Sequence, residues 1–260
     1  MTVLLHDCRN QFPDMPNIVY DLLYVDDTLL VGNDATVVQQ YMHLIAAEGK
    51  TYGLSLNNDK LEMMRINCQD DIYDIAGEPI VCKHQIKYLG AMLSDTAGHD
   101  VELNRRLAIA GQEFTALSRI WKHCNITVGR KLQIYESHVL SKLMYGLQTI
   151  WLSKRQRLKL NGFHYKQLRR ILGIPHSYIS WIPNNTVLGK SQMTTLTSKL
   201  LQHQMIYFGN IARNPDHPAR ATFLENDVLE LKTIERRVGR PRLNWCSEIM
   251  KHVVKTTSFY

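Results

Sequence analysis

Residues 22–32, Leu-Leu-Tyr-Val-Asp-Asp-Thr-Leu-Leu-Val-Gly, set two adjacent carboxylates between two short apolar runs rich in strand-forming residues. Runs of this length and composition predict a β-hairpin with acid at its tip. Both runs are apolar at alternating and intervening positions, so the strands are expected to be buried on both faces. A plain polar turn is one reading of Asp26-Asp27, since Asp is common in turns. Two details favour metal-binding carboxylates instead. A buried hairpin has little use for two charges at its end. Asp-Asp-Thr also lacks the Gly or Asn that a two-residue hairpin turn prefers.

Beyond the hairpin the periodicity is first mixed and then purely helical. Asn33-Asp34 offers N-cap chemistry, Val37, Val38, Tyr41, Met42 and Ile45 follow at helical spacing, and Gly53 marks a stop. Residues 54–57 and 61–67 read as strands, and Gly77-Glu78-Pro79 punctuates a further hairpin with strands near 71–75 and 80–83. Residues 86–93 close the strand-rich part. From Asp100 the period changes: Leu103, Leu107, Ala110, Phe114, Leu117 and Trp121 form one apolar helical stripe, with Arg105, Arg106 and Arg119 off it. Thr127 is placed to cap a helix carrying Leu132, Tyr135, Val139, Leu143 and Leu147. Further helices are predicted near 155–172, ending at Gly173, and near 191–213, with Leu196, Leu200, His203 and Ile206 inward. Asn244 caps a last one through Trp245, Ile249 and Val253. The predicted fold class is α+β, with strands and a helix first and helices alone after.

Charge follows the same division. Residues 1–102 carry 6 Lys/Arg against 16 Asp/Glu, residues 103–170 carry 14 against 2, and residues 171–260 carry 11 against 6. An acidic third before a basic middle predicts a metal-binding part joined to a polyanion-binding part. Solvated helix faces are the plainer alternative. The 5 cysteines are scattered and form no Cys-x-x-Cys pair, which speaks against a disulfide framework or a zinc ribbon. Reduced thiols in an intracellular setting, nucleus or cytoplasm, are the expectation. No apolar run nears the roughly 18–20 residues of a membrane span. The N-terminus shows no signal-peptide pattern.

Tyr24-Val25-Asp26-Asp27 closely resembles the Tyr-x-Asp-Asp box of reverse transcriptases. Gly53-Leu54-x-x-Asn57-x-x-Lys60-x-Glu62 and Lys87-Tyr88-Leu89-Gly90 are similar to the two boxes that follow it in the enzymes of non-long-terminal-repeat retrotransposons. Residues 102–122, with Arg105-Arg106, Phe114 and Ile120-Trp121-Lys122, resemble the thumb of that class. The likeness continues through Tyr145-Gly146-Leu147-Gln148, Trp151, residues 168–174 and Arg237-x-Gly239-Arg240-Pro241-Arg242 with Trp245. It therefore runs over nearly the whole chain.

The resemblance implies RNA-templated DNA synthesis from a DNA 3′ end, with an RNA template, a DNA primer, deoxynucleoside triphosphates and two Mg²⁺ or Mn²⁺ ions. Hard cations with oxygen ligands suit an in-line attack on phosphorus, because they stabilise the attacking and leaving oxygens. By the resemblance Asp26 and Asp27 are metal ligands and catalytic residues, and Lys60 is the cation near the triphosphate. Tyr24 lines the site, and Tyr88 and Gly90 belong to the primer grip. Arg105, Arg106, Arg169, Arg170, Arg240 and Arg242 are the implied nucleic-acid contacts. Taken by themselves, Lys60 also reads as a surface lysine, Tyr88 to Gly90 as a strand with a bulge glycine, and Arg169 and Arg170 as flanks of a buried helix. Gly239-Arg240-Pro241 is similar to an AT-hook core, but Val238 stands where that motif has Arg, so a basic linker is the plainer reading.

The implied layout is a partial palm over 1–97, thumb helices over 98–150 and a basic helical extension over 151–260. In the family, fingers and a first palm strand with another metal-binding Asp precede the box. Asp7, Asp14 and Asp21 do not lie in that setting. A C-terminal piece inactive by itself is therefore expected, with a non-catalytic nucleic-acid-binding remnant as the alternative. A helical protein-interaction module is a third reading.

Overall fold

The computed structural model, which describes residues 2–11, 19–96, 100–122, 125–217, 219–220, 224–225, 230–231 and 245–257, divides into two units, Met1–Gly98 and His99–Tyr260. The first is α+β and the second is almost wholly helical. No helix among the described residues is long and apolar enough to cross a membrane.

Unit 1 contains α1 (Thr2–Gln11), β1 (Val19–Tyr24), β2 (Asp27–Gly32), α2 (Ala35–Thr51), a 3-10 turn (Asn58–Lys60), β3 (Gln85–Tyr88) and β4 (Ala91–Ser94). Asp34 caps α2 as its sequence suggests, its side chain accepting from the N–H groups of Thr36 and Val37 at 2.8 and 3.3 Å. The helix ends in a Schellman arrangement: the N–H of Gly53 donates to Lys50 and that of Leu54 to Gly49, at 3.1 and 2.8 Å. The arrangement needs a left-handed residue, and Gly53 supplies it at φ 70°. Leu4, Leu5 and Cys8 of α1 pack on Tyr41 and Ile45 of α2, and Leu23 and Leu30 of the hairpin close over them.

Strands predicted at 54–57, 61–67, 71–75 and 80–83 do not form. Single bridges, Met63 with Cys82 and Tyr73 with Pro79, stand in their place. Asp74 explains the second, because its Oδ1 accepts from the N–H groups of Ala76 and Glu78 at 2.8 and 2.9 Å and closes a tight turn over Gly77. Side-chain bonds of this kind give the backbone an alternative to a ladder.

Unit 2 begins with α3 (Asp100–Ala116) and α4 (Ser118–Lys122). The predicted stripe is there, but the helix is interrupted at Leu117. Thr127 caps α5 (Val128–Ile134), which runs through a π-helical turn (Tyr135–Leu140) into α6 (Ser141–Met144). A 3-10 turn (Leu147–Thr149) leads to α7 (Lys154–Leu172), opened by a capping box of Ser153 and Gln156 and closed by Gly173 at φ 68°. Then come α8 (Ser177–Ser180), α9 (Asn184–Ser191), α10 (Leu196–Arg213), a two-residue ladder of β5 (Leu224–Glu225) with β6 (Glu230–Leu231), and α11 (Trp245–Thr257). One apolar cluster runs from Leu103 through Phe114, Tyr135, Leu143 and Leu160 to Leu200. Residue 150, the expected thumb boundary, falls inside that shared core. Helix α10 starts five residues later than expected and turns Leu196, Leu200, Gln204, Phe208 and Ile211 inward. His203 is half-buried and Ile206 is exposed. Asn244 and the side chain of Val253 lie outside the described residues.

Candidate active site

The hairpin pairs Tyr24 with Asp27, Leu23 with Thr28, Leu22 with Leu29, Asp21 with Leu30 and Tyr20 with Val31. Its loop is therefore the two residues Val25 and Asp26. Such loops need a positive φ at one or both central positions, and Val25 supplies one at φ 53°. A β-branched residue in this region is strained. The missing Gly thus has a structural consequence: the turn that carries the carboxylates is closed by a residue poorly suited to it.

Pleating puts Tyr20, Leu22, Tyr24, Asp27 and Val31 on one face and Asp21, Leu23, Thr28 and Leu30 on the other. Only the second face is turned to the α1–α2 core. The first is open, with Tyr20, Leu22, Tyr24 and Val31 all exposed. The expectation of burial on both faces fails here, because unit 1 places one layer of helix on the hairpin and no second layer among the described residues.

Asp26 and Asp27 are exposed, and neither makes a side-chain hydrogen bond or ion pair among the described residues. Asp21 differs. It faces the core, where Arg9 pairs with it and the Tyr41 hydroxyl donates to it at 2.9 Å. Burial and that carboxylate push the Tyr41 phenol up to about 12. Among the described residues no group of three or more Asp, Glu, His or Cys is placed to hold a metal ion.

A second hairpin reaches the first. β3 and β4 pair Tyr88 with Ala91 across the turn Leu89-Gly90, at φ 46° and 76°. Two positive φ values in a two-residue loop explain the glycine as a turn residue; no bulge is present. The Tyr88 hydroxyl donates to the Leu22 carbonyl at 3.0 Å. Its phenol is raised by burial and then by the charge of Asp27. Tyr24, Asp26, Asp27 and Tyr88 are thus brought together, with Gly90 forming the turn two residues on.

Lys60 is exposed on the 3-10 turn, which the Asn58 amide pins to Asp74 at 3.1 Å. It makes no side-chain hydrogen bond to either hairpin among the described residues. Glu62 of the same box pairs with Lys83 at 2.5 Å.

The arginines of unit 2 separate by environment. Arg105 and Arg106 both clasp Glu102, at 2.8 and 2.6 Å, and Arg106 is buried over the Tyr145 ring at 4.6 Å. Arg169 is buried too, donating to the carbonyls of Pro175 and Ile182 and to Ser180 and Asn184. The guanidiniums of Arg106 and Arg169 are buried in these contacts and are not presented to phosphate, whereas Arg105 is half-buried beside Glu102. Arg170 is exposed, with its guanidinium 4.7 Å from the Phe114 ring centroid. Arg240 and Arg242 lie outside the described residues. The Asp21–Arg9–Tyr41 knot left no sequence signal. Glu102 did leave one, since Arg105 and Arg106 follow it at i+3 and i+4.

Residues 1–93 match the family of reverse transcriptases (RNA-dependent DNA polymerases).

That span takes in α1, the Asp26-Asp27 hairpin, α2, the Lys60 turn and the second hairpin as far as Leu93. The reverse transcriptase match thus covers unit 1 nearly to its end and leaves unit 2 outside. No curated protein and no solved structure matches the chain.

Proposed function

We propose that the chain is part of an RNA-templated DNA polymerase of the non-long-terminal-repeat retrotransposon class. Unit 1 carries the edge of the nucleotidyl-transfer site, and unit 2 binds nucleic acid. The supporting observation is the pair Asp26 and Asp27: two exposed carboxylates without hydrogen-bond or ion-pair partners among the described residues, on a strained turn beside Tyr88, within the span that matches reverse transcriptases.

Their chemistry fits Mg²⁺ or Mn²⁺, which commonly take one or two protein carboxylates and complete their shell with water and substrate phosphates. Such an ion, when bound, offsets charge on the phosphate oxygens of a nucleotide. Asp26 and Asp27 hold it, Tyr24 and Tyr88 flank the pair, and Lys60 supplies a cation toward the triphosphate. Arg170 and other exposed basic residues of 105–170 take phosphates of an RNA–DNA hybrid.

Asp21, the nearest other carboxylate of the hairpin, is held by Arg9 and Tyr41 on the opposite face. This favours a second reading, in which the chain binds nucleic acid without extending a primer. Primer extension on an RNA template with Mg²⁺ tests it. No product is expected from residues 1–260, and product that disappears in Asp26→Ala would overturn the non-catalytic reading. Hybrid binding is expected to survive Asp26→Ala and to weaken roughly a hundredfold between 50 and 200 mM salt if about four phosphates are contacted. Binding indifferent to salt contradicts the phosphate reading of unit 2.

A further inference from the structure

Between Glu136 and Asp216 the chain contains no Asp or Glu and eleven Lys and Arg. Four of the eleven, Arg155, Lys159, Lys166 and Arg170, are exposed along α7 at intervals of four, seven and four. That spacing sets them on one face of the helix, a stripe of about 22 Å at 1.5 Å per residue. Gly162, also exposed, lies in the same line and leaves the helix backbone open there.

Past the end of α7 the chain makes a small loop through α8 to α9. Arg169 fills it from inside, its buried guanidinium bonded to Pro175, Ser180, Ile182 and Asn184 at 2.6–3.3 Å. Ile174 and Ile182 anchor the loop in the core. What it presents outward is apolar: Tyr178 is 69% exposed, Ile179 59% and Trp181 85%. His176 lies against Tyr178, with ring centroids 4.6 Å apart. Trp181 is also held at φ 54°, a conformation that costs a residue with a side chain about 1–2 kcal/mol. A hydrogen-bonded loop thus displays an indole to solvent from a strained backbone position.

We infer that this loop is a stacking platform for single-stranded nucleic acid, with bases on Trp181 and Tyr178 and phosphates on the α7 stripe. The inference adds a site to the nucleic-acid reading of unit 2 and rests on it for the phosphate contacts. Charge complementarity selects the occupant: four exposed cations on one helix face, in a stretch of sequence without acids, favour a polyanion, and exposed rings favour one with free π-faces. A duplex hides those faces within its own stack, so single strands are the form the platform fits.

Fluorescence anisotropy of the full chain with labelled dT12, rU12 and a 12-base-pair RNA–DNA hybrid tests it. Trp181→Gly removes the ring and relieves the backbone, so the fold is spared. Affinity for dT12 and rU12 is expected to drop about fivefold or more, the range measured for single stacked bases. Hybrid affinity and melting temperature are expected to hold, and Trp181→Phe to keep most single-strand binding. If Trp181→Gly binds single strands as tightly as the parent, or loses hybrid in equal measure, the platform is overturned. A parent chain that binds hybrid but not single strands overturns the platform alone. One that binds single strands but not hybrid overturns the hybrid reading and leaves the platform standing. A parent dimer that Trp181→Gly dissociates would make the face a contact between copies and also overturn the proposal.

Discussion

At the scale of single residues, two side chains in unfavourable settings report most. Val25 closes the carboxylate turn at a positive φ, and strain of this kind is tolerated where the surrounding structure and function demand it. Val25→Gly is expected to stabilise unit 1 by about 1 kcal/mol in chemical denaturation; a loss of stability would show that the turn is not strained. His164 is the second case. It is fully buried, and its Nε2 can only donate to the Thr194 carbonyl at 3.2 Å. Its Nδ1 is therefore the acceptor for the Tyr135 hydroxyl at 3.0 Å. Burial lowers its pKa from 6.5 to about 4. The unfolded chain then binds the proton first, so stability is full above pH 6.5 and falls as the pH drops toward 4. The loss is on the order of 3 kcal/mol. Urea midpoints at pH 7.5 and pH 4.5 measure it, and His164→Asn is expected to remove that contribution from the slope. None of this was legible beforehand: sequence gives the histidine, but its partners come from residues about thirty positions away.

At the scale of elements, capped and periodic segments were readable, and segments governed by distant partners were not. Asp34, Gly53 and Gly173 ended helices where sequence placed the ends, because cap chemistry is local. The strand pattern at 61–83 misled, because alternation specifies a face but supplies no neighbour, and the side chain of Asp74 offered the backbone a turn instead. Arg169 shows the same limit for function. Its sequence setting beside Arg170 suggests paired phosphate contacts, yet the buried Arg169 guanidinium builds the α8 loop while Arg170 is an exposed residue whose guanidinium lies over the Phe114 ring. Arg169→Ala leaves several buried acceptors unmet, so a loss of about 3 kcal/mol or more is expected for unit 2. Arg155→Ala, on the exposed stripe, is expected within about 0.5 kcal/mol of the parent. Equal effects would contradict the division between buried and displayed arginines. The open face of the first hairpin, with Tyr20, Leu22, Tyr24 and Val31 exposed, belongs to this scale as well. Contiguous apolar surface of this kind promotes association, and charged substitutions at Leu22 and Val31 are expected to lower light scattering of the concentrated chain.

For the whole molecule, the acidic and basic parts of the sequence correspond to two units, Met1–Gly98 and His99–Tyr260. The charge switch and the loss of strand pattern mark the same place because one unit concentrates carboxylates around hairpins and the other sets basic residues along helices. The reverse transcriptase match accounts for the first unit alone; the second is read from its charge and its displayed side chains. Unfolding is expected in two transitions, with Val25→Gly moving one and Arg169→Ala the other, since distant sites act independently. A single transition shifted by both would show that the units unfold together. The central claim is that Asp26 and Asp27 hold a divalent ion alongside a nucleotide's phosphates. Titration of Mn²⁺ into the full chain with dTTP, followed by the electron paramagnetic resonance signal of the free ion, addresses it directly. The parent chain is predicted to remove free Mn²⁺ beyond what dTTP binds by itself, and the double variant Asp26→Asn, Asp27→Asn to lose that excess. Equal binding by parent and double variant would contradict the account.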